Sequence, residues 1–223
     1  MLRTRLDALV KECQDHLKWT RLSRDRLTRE AARLFVQQFG LFTRHSRRCW
    51  AYVVANCPII EVRKFIVREN LYEEEAVGES HYDLMVQMGK ALGLRGEAID
   101  HAAPLPTTTV ALLAWEALTK DRPWIEGLAA KAVLERSNAP ECGNLSALEA
   151  ERWMRQLQLR DQDVKFWSLH ATVDLIHGSG AYDLLEKHVT GADQGEALVR
   201  AARESLDAWK IFLDGIADAA SWG

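Results

Sequence analysis

The sequence predicts an all-α protein, a single helical bundle over residues 1–223. Three observations carry that expectation. Apolar residues recur with a 3.6-residue period in segment after segment. The breaks between these segments are short and rich in Gly, Pro or Asn. No pair of neighbouring segments alternates apolar and polar residues as paired strands would.

Leu2, Leu6, Leu9, Val10, Cys13 and Leu17 keep the helical period and give a first helix over about residues 2–18. Thr28 suits the N-cap of a second, long helix with Ala31, Leu34, Phe35, Gln38, Phe42, Trp50, Val53 and Val54 at its inner positions. Cys57-Pro58 ends it, because the residue before proline is pushed out of the α region. A third helix runs from about Ile60 through Glu73, Glu74 and Glu75, and continues or kinks at Gly78 into residues 81–92. Gly93-Leu94-Arg95-Gly96 then breaks the chain. Residues 107–118 form an apolar helix, although their Thr and Val content leaves a strand conceivable there. Pro123 opens the next helix, which extends to about Ser137. After a loop over 138–144, Ser146 with Glu149 three residues on reads as a capping box. A helix over about 161–177 is interrupted at Gly178-Ser179-Gly180 before residues 181–188. The last helix, about 193–222, is long and amphipathic.

Composition excludes several classes of partner. The 29 Lys and Arg against 32 Asp and Glu leave a net charge of −3, and the two signs are mixed along the chain. Neither nucleic acid nor an anionic membrane surface is an expected partner. No apolar run approaches the roughly 20 residues that span a bilayer. The first residues carry charges throughout and lack the apolar stretch of a secretory signal, so the expected location is cytoplasmic. The four cysteines, Cys13, Cys49, Cys57 and Cys142, show no C-x-x-C spacing and suit a reducing compartment.

The chemistry concentrates in His170-x-x-x-Asp174-x-x-His177. Positions 0, 4 and 7 of an α-helix lie at about 0°, 40° and 340° around the axis, so these three side chains share one narrow stripe. Leu169, Val173 and Ile176 flank the stripe and turn it toward the interior. Two imidazoles and a carboxylate are costly to bury unless they are paired or bind a cation. Glu74 and His81, seven residues apart, align to within about 20° on a continuous helix. Glu135 follows the apolar run of Ala129, Ala130, Ala132, Val133 and Leu134 and is expected to be buried, as a ligand or as a partner of Arg136 or Lys131. Three carboxylates and three imidazoles suit iron or manganese better than zinc in a thiolate site. The Glu-x-x-His pairs of a ferritin-like bundle are absent.

Asn70-Leu71-Tyr72-Glu73-Glu74-Glu75, then His81-Tyr82-Asp83-Leu84, then Gly89-Lys90-Ala91-Leu92-Gly93 resembles a stretch of the haem-oxygenase-like diiron oxidases. The order of Glu, His, a later Glu and a closing His-x-x-x-Asp-x-x-His is similar as well, over most of the chain. The resemblance implies the fold of haem oxygenase without haem. It implies metal and catalytic roles for Glu74, His81, Glu135, His170, Asp174 and His177. It implies two Fe ions cycling between Fe(II) and Fe(III), with manganese as a substitute, and O2 as co-substrate. The implied reactions are N-oxygenation, C–H abstraction or oxidative C–C cleavage of a small molecule, an amino acid or amine ahead of a fatty acid. A self-sacrificing para-aminobenzoate synthase branch of the family uses a tyrosine just before the second Glu, where this chain has Leu134.

Two other readings stay open at this stage. One is a cofactorless oxidase or hydrolase of the same fold, with the six residues as a metal-free polar lining. The other is a non-catalytic helical interaction protein. A homodimer with two-fold symmetry is compatible with the sequence. The second long helix is expected to line the pocket, with Gln38, Phe42, His45, Arg48, Trp50 and Tyr52 in the right region. Arg48 or Arg136 would hold a substrate carboxylate, and Trp167 would shield the stripe. Trp115, Trp124, Trp153 and Trp209 read as ordinary core or interface residues.

Overall fold

The longest helices build the bundle, and one of them, Arg29–Asn56, packs against elements drawn from most of the chain. The structure is a computed structural model that describes residues 2–72 and 78–220, apart from the side chains of Asp25 and residues 172–178. In chain order the helices are α1 (Leu2–His16), α2 (Lys18–Asp25), α3 (Arg29–Asn56), α4 (Ile60–Ile66), α5 (His81–Ala91), the single turn α6 (Glu97–Asp100), α7 (Pro106–Lys120), α8 (Trp124–Arg136), α9 (Leu145–Leu157), α10 (Lys165–His188) and α11 (Ala192–Ala219). A π-helical segment, Val67–Tyr72, continues α4. No strand occurs among the described residues, and the Thr/Val-rich 107–118 segment lies within α7.

Helix α3 packs against α5, α7 and α8, while α11 covers α7, α8 and α1 from the other side. Helix α10 packs on α8, α9 and α5. The spacing of Phe35, Phe39 and Phe42 puts three rings on one face of α3, with successive centroids 4.9 and 5.1 Å apart. Around this column stand Trp19, Trp115, Trp153, Phe166, Trp167, Trp209 and Phe212. Edge-to-face contacts of this kind add to the large apolar area that each ring buries.

Several expectations are met and others are corrected. Thr28 caps α3, its hydroxyl accepting from the Ala31 N–H at 3.1 Å, and the helix stops before Cys57-Pro58. The first helix is shorter than its apolar period suggests. Leu17 adopts an extended conformation, and α2 starts afresh with the Lys18 N–H donated to Asp214 of α11 at 2.6 Å. The capping box lies at Ser80 and Asp83, at the start of α5, and not at Ser146. Asn144 caps α9 instead, and Glu149 is buried in an ion pair with Arg152 and a 3.0 Å hydrogen bond from the Trp153 indole. Gly178-Ser179-Gly180 does not interrupt α10, which runs unbroken to His188. A Cβ at Gly180 would stand 2.6 Å from the Phe65 ring, so glycine serves close packing there and not a break.

All four cysteines are buried and reduced. Burial pushes the thiol of Cys13 up to about 12 and that of Cys142 up to about 11, with Asp207 and Asp7 respectively adding to the shift.

Two glycines of α11 give a paired prediction. At Gly215 a Cβ would lie 2.5 Å from the Thr107 Cβ, whereas at Gly195 nothing lies within 4 Å. Gly195→Ala is expected to stabilise by about 1 kcal/mol through helix propensity. Gly215→Ala makes the same propensity gain but meets an overpacking penalty of about 1–3 kcal/mol, so it should destabilise. Urea unfolding of both variants checks this, and equal stabilisation by the two would show that the α7–α11 contact yields freely.

Candidate functional site

Three helices bring three of the six candidate residues to one cavity. His81 opens α5, Glu135 lies in the last turn of α8, and His170 lies in the second turn of α10. The cavity holds about 600 Å3, part of it open to solvent. Phe39, Phe42, Trp50, Phe166, Trp167 and Trp209 supply its aromatic walls. Trp167, expected to shield the His170 stripe, lines this cavity beside His170, and Trp209 is a wall of the cavity as well as a core residue.

The capping box at Ser80 and Asp83 fixes the chain where His81 enters α5, through two backbone hydrogen bonds of 3.1 Å. The His81 and His170 rings face each other with centroids 4.2 Å apart and planes inclined by 57°. His170 Nδ1 lies 2.6 Å from the Phe166 carbonyl oxygen. A carbonyl only accepts, so Nδ1 carries the proton and Nε2 presents a lone pair. This is the tautomer that metal-ligating histidines adopt. His81 is held in the other sense. Arg47 Nη2 donates to its Nδ1 at 2.9 Å, and because a guanidinium cannot accept, the neutral ring keeps its proton on Nε2.

Glu135 Oε1 accepts a hydrogen bond from Asn70 Nδ2 at 2.8 Å. Asn70 is fully buried within the π-helical segment. A π turn is rare and concentrates at functional sites. Here it aims the Asn70 amide at Glu135 and its carbonyl at Arg47 Nη1, 3.5 Å away.

The other candidates are not fully described. Glu74 lies outside the described residues. Asp174 and His177 are on the unbroken backbone of α10, and their side chains lie outside the described residues. Among the described residues no three His, Cys, Asp or Glu side chains form a metal-binding group.

A second polar group occupies the cavity wall. Lys131, one turn before Glu135 on α8, is only 3 % exposed. Its Nζ donates to Ser46 Oγ at 2.6 Å and lies 5.2 Å from the Trp50 ring centroid and 5.6 Å from that of Phe42. The arginines expected to reach a substrate do not line the cavity. Arg136 makes paired 3.0 Å hydrogen bonds to Asp7 of α1, and Arg48 is exposed beside Glu116. Arg47, displaced from Arg48 by about 100° around the helix, is the one that turns inward. Gln38 is buried but bonds the backbone near Ala103 and Leu105 together with Thr108, and His45 meets Glu116 at 3.2 Å, where burial lowers its pKa.

Sequence reasoning missed the placement of Arg47, Ser46 and Asn70, and treated Lys131 only as a partner for Glu135. A signal for Lys131 was present: it is the single charge in the run from Leu128 to Leu134, four residues before Glu135. Nothing comparable marks Ser46 or distinguishes Arg47 from Arg48.

Among described residues, no helix is long and apolar enough to cross a membrane. Over 211 residues the chain is 27% identical to a 4-aminobenzoate synthase of Nitrosomonas europaea, covering 90% of this chain and 82% of that protein. Its fold matches a protein of unknown function with a haem-oxygenase-like fold from Shewanella denitrificans, with a TM-score of 0.82 at 15% identity over 98% of this chain and 91% of the other. It also matches a TenA homologue of Pseudomonas syringae, with a TM-score of 0.73 at 15% identity over 96% of this chain and 90% of the other. The family model for iron-containing redox enzymes matches residues 33–210, most of the chain, and the protein belongs to that family, with the haem-oxygenase-like all-α fold.

Proposed function

We propose that this chain is a non-haem diiron oxygenase or oxidase that uses O2 to oxidise a small metabolite. Glu74, His81, Glu135, His170, Asp174 and His177 are its proposed ligands for two iron ions. The observation that carries the reading is the meeting of His81, Glu135 and His170 at one aromatic-walled cavity, with the His170 tautomer already set for ligation. The donor set fits: imidazole and carboxylate together suit iron or manganese. Bound iron would supply the electrons for reducing O2. The Phe166 carbonyl orients His170, and the Asn70 amide orients Glu135 while leaving its second oxygen to face other groups. The aromatic walls line the reacting centre with apolar surface that would limit the access of water.

The proposed substrate is an amino acid or amine, with a fatty acid as the next class, and the outcome is N-oxygenation, C–H abstraction or C–C cleavage. The Nitrosomonas europaea relative is named a 4-aminobenzoate synthase. Leu134 lines the cavity at the position where the resemblance calls for a tyrosine in that activity, so the proposal does not extend to it.

One observation favours a second reading, a metal-free active site. Arg47 places a guanidinium against His81 Nδ1, where its charge opposes a metal cation. In the diiron reading, Arg47 would have to release His81 Nδ1 in either mode, because a cation on Nδ1 takes its lone pair and a cation on Nε2 moves the ring proton to Nδ1.

Anaerobic titration with Fe(II) is expected to show about two ions bound per chain and O2 consumption that chelators abolish. His170→Ala should lose one of these ions while the far-ultraviolet circular dichroism stays helical. Chelator-resistant turnover would establish the metal-free reading. Arg47→Gln removes the opposing charge and should tighten Mn(II) binding by about tenfold, measured by electron paramagnetic resonance of free Mn(II). Weaker binding in that variant would show that Arg47 supports the site by holding His81 in place.

A further inference from the structure

We infer that Trp153 and Glu149 form the end of a hole-transfer route that leads out of the cavity. An oxidising equivalent that no substrate takes up passes by way of Trp167. Trp153 gives up one electron toward the cavity and its indole proton to Glu149. The inference rests on the proposed redox function, because the oxidised metal centre is the acceptor of that electron. Electron transfer falls off steeply with distance, so close ring contacts decide its route. The His170 and Phe166 ring centroids lie 4.2 Å apart, those of Phe166 and Trp167 5.1 Å, and those of Trp167 and Trp153 6.0 Å. Trp167 lines the cavity beside His170, whereas Trp153 of α9 is fully buried and takes no part in the lining. Indole is among the side chains most readily oxidised by one electron.

The base beside Trp153 makes it the end of the route. Its indole N–H donates to Glu149 Oε2 at 3.0 Å, within reach of proton transfer. Oxidation turns the indole N–H acidic, so the proton leaves with the electron and a neutral radical remains. Glu149 is 1 % exposed, and its other oxygen pairs with Arg152. Burial raises the Glu149 pKa, so it takes a proton more readily than an exposed carboxylate. The positive charge created by oxidation then rests on the Arg152 guanidinium and not on the ring. A buried ion pair adds little to stability by itself, so stability alone does not account for one placed against an indole. Other rings lack such a base. The Trp167 and Trp209 indoles meet no acceptor among the described residues. Trp115, 6.1 Å from Trp209, donates to the Ser205 hydroxyl, which is no base. Tyr182 carries the guanidiniums of Arg3 and Arg136 over its ring, and their charge opposes a hole. A soluble one-electron reductant of the ascorbate class returns the electron to Trp153, and Glu149 returns the proton.

The test has a metal-free arm and a metal-loaded arm, both on the full chain. The four native thiols are buried, so a thiol-reactive ruthenium photo-oxidant goes to the exposed site of a Lys165→Cys variant, just before Phe166 and Trp167. A laser flash with an electron-accepting quencher should give the transient absorbance of a neutral tryptophan radical. Adding Trp153→Phe should cut the lifetime of that radical at least about tenfold, and adding Trp167→Phe should cut its yield by as much. Glu149→Gln still accepts from the indole but takes no proton, so the radical cation should persist in its place. Circular dichroism and thermal unfolding check that each variant is folded, and if Glu149→Gln is not, Trp153→Phe decides. An undiminished neutral radical in folded Trp153→Phe would overturn the inference. In the second arm the Fe(II)-treated chain meets O2 without substrate, and freeze-quench electron paramagnetic resonance should find the same radical, lost in Trp153→Phe. Bound Fe(II) and consumed O2 with no radical would also overturn it. If the flash generates the Trp153 radical and the chain binds no Fe(II), the diiron reading fails and the Trp153–Glu149 pair stands as the hole acceptor.

Discussion

The carboxylate of Glu135 projects into a cavity with aromatic walls, one helical turn from the buried Lys131, and the amide of Asn70 holds it there. A polar group in such a place is tolerated only when its hydrogen bonds are supplied by the protein, and the local architecture is arranged to supply them. The π-helical turn after α4 delivers Asn70. Arg47 of α3 reaches both the Asn70 carbonyl and the His81 ring, so α3, α5, α8 and the π-helical segment are tied together through polar contacts beside the cavity. The backbone carbonyl of Phe166 extends the same logic to α10 by fixing the His170 ring.

The aromatic column of α3 is what gives this polar centre its shape. Phe39 and Phe42 serve the core on one side and the cavity on the other. Packing and pocket are thus made by the same rings, and the cavity inherits the rigidity of a close-packed interior. Leu134, directly before Glu135 on α8, adds an aliphatic side chain to the cavity lining.

The helices were legible because their signals are local: a 3.6-residue period, the Thr28 cap, the proline after Cys57. Where the sequence misled, a tertiary partner had overridden a local rule. Asp214 from α11 starts α2 anew after Leu17, and close packing against Phe65 keeps Gly180 inside a helix. His170 was legible from its helical stripe with Asp174 and His177, Glu135 from the apolar run before it and His81 from its spacing to Glu74, and the family resemblance joined the three. Which cations share their cavity was not, because Arg47 and Arg48 are adjacent in sequence and only the packing angle of α3 decides which one turns inward.

The buried cysteines have a consequence for how the folded protein meets oxidants. Oxidative damage proceeds through the thiolate, and a thiol whose pKa stands near 11 or 12 is almost wholly protonated at neutral pH. Cys49 and Cys57 are raised in the same direction by burial. The folded chain would therefore present no ready thiolate to stray oxidants, and sulfenic acid at these positions would report unfolding.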